Sequence, residues 1–163
     1  MNKLYVDWAD VERGVRMLNH SRNGWNPECI VAPTHGGSIP AVMLRHGLGV
    51  PLIYLPITFR NGNTFETDKW HEILSKYRRI MLVDDIYDTG KTIKAMHEYN
   101  VQNMEFPSDV RYFVLYYNKN TTEPRPLLKN ALSYAYGLGE KDGSFPWLVF
   151  PWESAVNGRS VLD

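Results

Sequence analysis

Only one cysteine, Cys29, occurs in the 163 residues. That excludes an intrachain disulfide and suits a reducing compartment. An excess of charge of one sign is also missing, since 18 Lys and Arg balance 18 Asp and Glu. The balance removes the electrostatic footprint of a dedicated nucleic-acid binder, although it leaves room for a local cationic site. No run is apolar enough to span a bilayer. The first residues do not form a secretory leader, because Asp7 and Asp10 interrupt any apolar stretch. Internal repeats and low-complexity tracts are absent. The expectation is a cytoplasmic protein with no membrane and no nucleic-acid partner. Its length supports one core and is short for two ordinary domains, so residues 1–163 read as one domain.

Aromatics, by contrast, are plentiful, with ten Tyr and five Trp. Residues 8–22 fit an amphipathic helix with Val11, Val15 and Leu18 on one face and Asp7 as N-cap. The apolar run 29–32 reads as a buried strand entering a glycine turn, Pro33-Thr34-His35-Gly36-Gly37. Residues 39–46 fit a helix that stops at Gly47. Strands are expected over 52–57, 80–83, 112–117 and 133–136, and a helix over 92–99. Residues 58–71, with Arg60-Asn61-Gly62-Asn63, read as a long polar loop or loose hairpin. From Gly139 onward the chain is rich in aromatics and proline. Strands alternating with helices predict an α/β fold with a mostly parallel sheet flanked by helices. Ligands in such folds bind at the carboxyl ends of the strands.

The strongest local signal is Ile80-Met81-Leu82-Val83-Asp84-Asp85-Ile86-Tyr87-Asp88-Thr89-Gly90-Lys91-Thr92. An apolar strand discharges into three carboxylates within five residues. Close, buried like charges repel, so a cation is expected there, and Mg²⁺ suits oxygen ligands. The segment Asp88-Thr89-Gly90-Lys91-Thr92 then opens a helix. Free N–H groups, a glycine and two hydroxyls make an anion cradle at that helix start. Lys91 stands where the helix dipole disfavours positive charge, a conflict that a bound phosphate would remove. A Walker A loop is excluded, because Asp85 stands where that pattern needs glycine.

Two further segments bear on binding. Gly36 and Gly37 permit backbone N–H groups to converge on an anion. The string Phe145-Pro146-Trp147-Leu148-Val149-Phe150-Pro151-Trp152-Glu153 supplies faces on which a flat heteroaromatic ring could stack. Cys29 reads as core. His20, His46, His71 and His97 show no metal-ligand spacing.

The acid-acid-x-x-acid-T-G-K-T pattern after an apolar strand resembles the motif of type I phosphoribosyltransferases that binds 5-phosphoribosyl-1-pyrophosphate (PRPP). Over residues 5–153 the chain is most similar to the xanthine-guanine and hypoxanthine members. The resemblance implies transfer of the phosphoribosyl group from PRPP to a 6-oxopurine base, with Mg²⁺ as cofactor. It implies that Asp84 and Asp85 hold the ribose hydroxyls beside the metal and that Asp88 lies near the reacting base as the catalytic group. Thr89, Gly90, Lys91 and Thr92 would wrap the 5′-phosphate. His35, Gly36 and Gly37 correspond to the pyrophosphate loop, with His35 where the family commonly has arginine or lysine. Trp147 would stack on the base, the Leu148 backbone would read its edge, Glu153 would support them, and Lys119 would meet the 6-oxygen. It further implies a lid at about 58–71, a base-binding hood at about 139–163, and a homodimer or homotetramer. Two other readings stay open: a non-catalytic PRPP-binding regulator, and an enzyme acting on another base.

Overall fold

The computed structural model describes residues 2–34, 36–58, 64–103, 108–121 and 131–153. Strand β1 (Lys3–Tyr5) leads into helix α1 (Trp8–Ser21). Asp7 caps α1 by accepting from the Asp10 backbone N–H at 2.7 Å, and Asp10 reciprocates to the Asp7 N–H. Val11, Val15 and Leu18 form the buried face, as their spacing predicts. Strand β2 (Cys29–Thr34), helix α2 (Ser38–Leu48) and strand β3 (Leu52–Thr58) follow. Next come the short strand β4 (Thr64–Phe65), helix α3 (Thr67–Lys76) and strand β5 (Arg79–Tyr87). Helix α4 (Lys91–Gln102), strand β6 (Asp109–Asn118), strand β7 (Leu132–Leu138) and strand β8 (Trp147–Val149) complete the order.

The main sheet has six strands in the order β4-β3-β2-β5-β6-β7, parallel except for the β3–β4 pair. This is the α/β fold with a mostly parallel sheet that the alternating pattern predicts. Its central strands β2, β5 and β6 are buried on both faces over most of their length, and successive residues serve opposite sides. Ile30, Ala32, Met81, Val83, Phe113 and Leu115 pack with α1 and α2 residues such as Leu18 and Leu44. Cys29, Val31, Ile80, Leu82, Tyr112 and Val114 pack with Trp70, Ile73, Ile93 and Met96 of α3 and α4. The chain winds one way from β2 to β3 and the other way from β5 to β7. The reversal between β2 and β5 opens a crevice at their carboxyl ends. The β2–α2 turn and the acidic end of β5 meet in that crevice.

Several boundaries differ from expectation. Helix α2 does not stop at Gly47. It continues to Leu48 and is closed by Gly49, whose φ of 67° is the left-handed cap conformation. Strand β5 does not end at Val83 but runs on through Asp84 and Asp85 to Tyr87, pairing Asp84 with Val114. Of the segment 58–71, expected as a polar loop or loose hairpin, Thr58 pairs with Thr64 in a hairpin as the second alternative has it, but Thr67 onward is helix. The helical period of α3 rests on Trp70, Ile73 and Leu74, so a window closing at His71 misses it. Residues 59–63 of the expected lid and 154–163 of the expected hood lie outside the described residues. Strands β1 and β8 form a separate two-stranded parallel sheet that pairs Lys3 with Trp147 and Tyr5 with Val149. Behind it, Phe150 and Trp152 stack at 4.6 Å and 7°.

Candidate active site

Asp84 and Asp85 reach the crevice near the carboxyl end of β5, three and two residues before the strand closes at Tyr87. The Asp85 N–H donates to Asp84 Oδ1 at 2.9 Å, and the Ile86 N–H donates to Asp85 Oδ1 at 2.7 Å. Both carboxyls are pushed above the usual carboxylate range. Burial is the main cause for each, followed for Asp84 by the charge of Asp85. The nearby Glu153 charge also raises Asp85. Among the described residues neither aspartate forms a salt bridge. The pair is therefore short of positive charge.

The glycine turn after β2 lies directly over these acids. A Cβ on Gly36 would overlap the Asp85 carboxylate, and one on Gly37 would overlap the Val83 carbonyl. Only glycine lets the two backbones approach so closely. His35 lies outside the described residues.

Beyond β5 the chain passes Asp88 and Thr89, both exposed, to Gly90. Gly90 adopts φ 75°, and a Cβ there would overlap the Tyr87 hydroxyl. It is the N-cap of α4 but supplies no side-chain cap, and the first turn holds no acid. The N–H groups of that turn are thus left to face a ligand, aided by the dipole. A cavity of about 160 Å³ opens here, lined by Asp84, Ile86, Tyr87, Asp88, Thr89, Gly90, Lys91, Thr92 and Ile93. One contiguous segment thus brings an uncapped helix start beside a carboxylate pair.

Lys119 follows β6, exposed, at the same end of the sheet. Its stem runs over Gly137, where a Cβ would sit 2.5 Å from Lys119 Cε. Asn118, 9% exposed, precedes it and donates from Nδ2 to Asp88 Oδ1 at 2.9 Å. The hydrogen bond joins the acidic loop to the Lys119 turn. Sequence reasoning passes over Asn118, though a polar residue closing the run Tyr112-Phe113-Val114-Leu115-Tyr116-Tyr117 is a readable signal. Trp147 is 57% exposed on β8, while Leu148 points into the core at 5%. Glu153 accepts from the Phe150 N–H at 3.0 Å, closing the turn after β8. From there its charge acts on Asp85.

Residues 7–130 match the family model of the phosphoribosyl transferase domain. The chain belongs to this family. Among phosphoribosyltransferases, it is 29% identical over 153 residues to a xanthine-guanine phosphoribosyltransferase of Chromohalobacter salexigens, covering 93% of this chain and 84% of that one. It is similar to the crystal structure of a purine phosphoribosyltransferase from Pyrococcus horikoshii Ot3, with 27% identity and a TM-score of 0.68 over 94% of this chain and 95% of the other. The Helicobacter pylori xanthine-guanine-hypoxanthine phosphoribosyltransferase shares the fold, with a TM-score of 0.67 at 13% identity over 96% and 97%. Among the described residues no helix is long and apolar enough to cross a membrane.

Proposed function

We propose that this phosphoribosyltransferase joins the phosphoribosyl group of PRPP to a 6-oxopurine, forming a purine nucleotide and releasing pyrophosphate. The observation that carries the reading is the meeting, at one end of the sheet, of the α4 phosphate cradle, the Asp84–Asp85 pair and the Lys119 turn, with Asp88 hydrogen-bonded to that turn. The likeness to a xanthine-guanine and to a purine phosphoribosyltransferase supports the choice of base.

In the proposed reaction the C1–oxygen bond breaks and its electron pair leaves with pyrophosphate. A ring nitrogen of the base gives up a proton and bonds to C1. Asp88 is the group proposed to receive that proton or stabilise the developing charge. Thr89, Gly90, Lys91 and Thr92 are the groups proposed to grip the 5′-phosphate, and His35, Gly36 and Gly37 those proposed to bind the pyrophosphate. Trp147 offers its open face to the ring beside the Leu148 backbone. Lys119 donates to the 6-oxygen, and Glu153 braces the segment. Holding both substrates in line is most of what such a site must do.

Mg²⁺ fits this site. Two carboxyls raised chiefly by burial, with no cationic partner beside them among the described residues, are hard oxygen ligands, and substrate phosphates ordinarily complete the shell of this ion. Among the described residues no cluster of three His, Cys, Asp or Glu side chains could hold a metal without a substrate. Asp84 and Asp85 would hold the ion, which supplies positive charge to the departing pyrophosphate.

Lys119 is an obligate donor. It satisfies the 6-oxygen of hypoxanthine, guanine or xanthine but meets the 6-amino group of adenine donor to donor, a mismatch that rejects strongly. Steady-state kinetics with the four bases, PRPP and Mg²⁺ test the proposal for wild type and Lys119→Ala. We expect turnover of 6-oxopurines, little of adenine, and reduced selectivity in the variant. Adenine as the best substrate would overturn the base assignment. Tight PRPP binding with no base consumed would favour a regulator.

A further inference from the structure

Asn118 is a buried amide at the carboxyl end of β6. A buried amide is costly unless both of its ends are used, and here both are. Nδ2 donates to Asp88 Oδ1, and Oδ1 accepts from the Asn120 backbone N–H at 2.9 Å. A backbone N–H can only donate, so it sets the amide's orientation and turns the NH₂ toward Asp88. Asn120 extends the chain of contacts. Its Nδ2 donates to the carbonyls of Glu140 at 3.2 Å and Ser144 at 3.0 Å. Those carbonyls belong to the turn that delivers Trp147. Between the two asparagines, the Lys119 N–H donates to the Leu138 carbonyl at 2.7 Å. Gly139 leaves the space, since a Cβ there would stand 3.0 Å from Asn120 Oδ1.

We propose that Asn118 and Asn120 are positioning residues, a two-amide bridge that holds Asp88 in register with Lys119 and the strand bearing Trp147. The inference rests on the function proposed above, for it assigns the bridge the task of aligning the PRPP side of the site with the base side. Asparagine suits position 118 because the task needs one donor and one acceptor on a short stem. Aspartate would bring a second carboxylate against Asp88, and an apolar isostere would leave both Asp88 and the Asn120 N–H without this partner. Neither amide need touch a substrate. Asn118 acts through Asp88, and Asn120 acts through the turn before β8.

The experiment has two arms. In the first, kcat and both KM values are measured for wild type, Asn118→Ala, Asp88→Asn, the double variant and Asn120→Ala. Asn118→Ala is expected to lower kcat about 10- to 100-fold, the worth of a hydrogen bond to a charged group, with KM for PRPP little changed. In the Asp88→Asn background the same change is expected to cost little more. Asn120→Ala is expected to raise KM for the base more than KM for PRPP. Equal losses from Asn118→Ala in both backgrounds would overturn the bridge.

The second arm needs no turnover. In ¹H–¹⁵N spectra Asp88→Asn is expected to shift the side-chain amides of Asn118 and Asn120 and the Trp147 indole N–H. Shifts confined to residues 87–92 would overturn the proposal. This arm alters only exposed Asp88, so it does not depend on a buried variant folding. If wild type consumes no base, the proposed function fails, while the spectra still decide whether the bridge exists.

Discussion

Asp84, Asp85, Asp88 and the cradle from Thr89 to Thr92 arrive on one unbroken stretch, the end of β5 running into α4. Lys119, Asn120, Ser144 and Trp147 come instead from the end of β6, a surface turn and a short strand paired with the N-terminus. In the first region the chemistry is local. A strand end, a glycine with positive φ and an uncapped helix start make an anion site wherever that order of residues folds. In the second, each group has meaning only through a partner distant in sequence. Lys119 needs Gly137 for its stem to lie flat. Trp147 needs Lys3 as a ladder partner. The local region pays in electrostatics, holding two raised carboxyls together, whereas the assembled region depends on packing and hydrogen bonds.

This contrast makes the variants differ in kind as well as size. The largest effect is expected for Asp84→Asn with Asp85→Asn. Turnover should fall roughly a thousandfold or more, since charge stabilisation by a metal site is worth several kcal/mol. The same variant should be more stable. Burial raises both carboxyls in the folded state, with the Asp85 charge adding to it for Asp84 and the Glu153 charge for Asp85, so the folded protein binds protons more tightly than the unfolded chain. Stability then declines as pH climbs from the ordinary carboxylate range toward the raised values. In metal-free buffer the asparagines should flatten that decline. At neutral pH they should raise Tm by about 2–4 °C for each kcal/mol of repulsion removed. Lost activity with lowered Tm and an unchanged pH slope would show that the pair is structural.

Asp88→Asn is expected to come next, lowering kcat by about a hundredfold, within the usual worth of acid–base assistance. KM for PRPP should move little. Unchanged kcat with lost PRPP binding would reassign Asp88 to the cradle and erase the line between the regions. For Gly90→Ala the Cβ meets the Tyr87 ring and hydroxyl at positive φ. The expected cost is about 1–2 kcal/mol of stability from the left-handed backbone, with weaker PRPP binding and normal base selectivity, measured by thermal unfolding and KM. The smallest effect is expected for Trp147→Ala. KM for the base should rise about tenfold, as loss of one base–aromatic stack costs about 1–3 kcal/mol, with PRPP kinetics and Tm almost unchanged because the ring is 57% exposed. A large fall in Tm would make Trp147 a packing residue.

The amino-acid order alone was enough for the α/β class, because alternating apolar strands and amphipathic helices admit few other layered solutions. It was enough for the Asp7 cap and the Val11, Val15 and Leu18 face of α1, which depend on neighbours within two turns. It was enough also to mark Asp84 through Thr92 as an acid pair running into an uncapped helix start, since every part of that device lies within nine consecutive residues. Local pattern misjudged α3, whose apolar face begins at Trp70 inside a polar segment and packs under the sheet, the buried indole N–H donating to the distant Asn100 carboxamide at 2.9 Å. It misjudged the end of α2, because Gly47 is an interior residue there and the left-handed stop falls at Gly49. Only the tertiary structure decided that β2 and β5 are neighbours at the sheet's reversal, which sets Gly36 against Asp85. It alone paired β8 with β1 and put Asn118 between Asp88 and Lys119, for those contacts join residues about 30 to 145 positions apart. Side-chain period and capping chemistry act across a few residues, and nothing in that range specifies which distant strand end will face another.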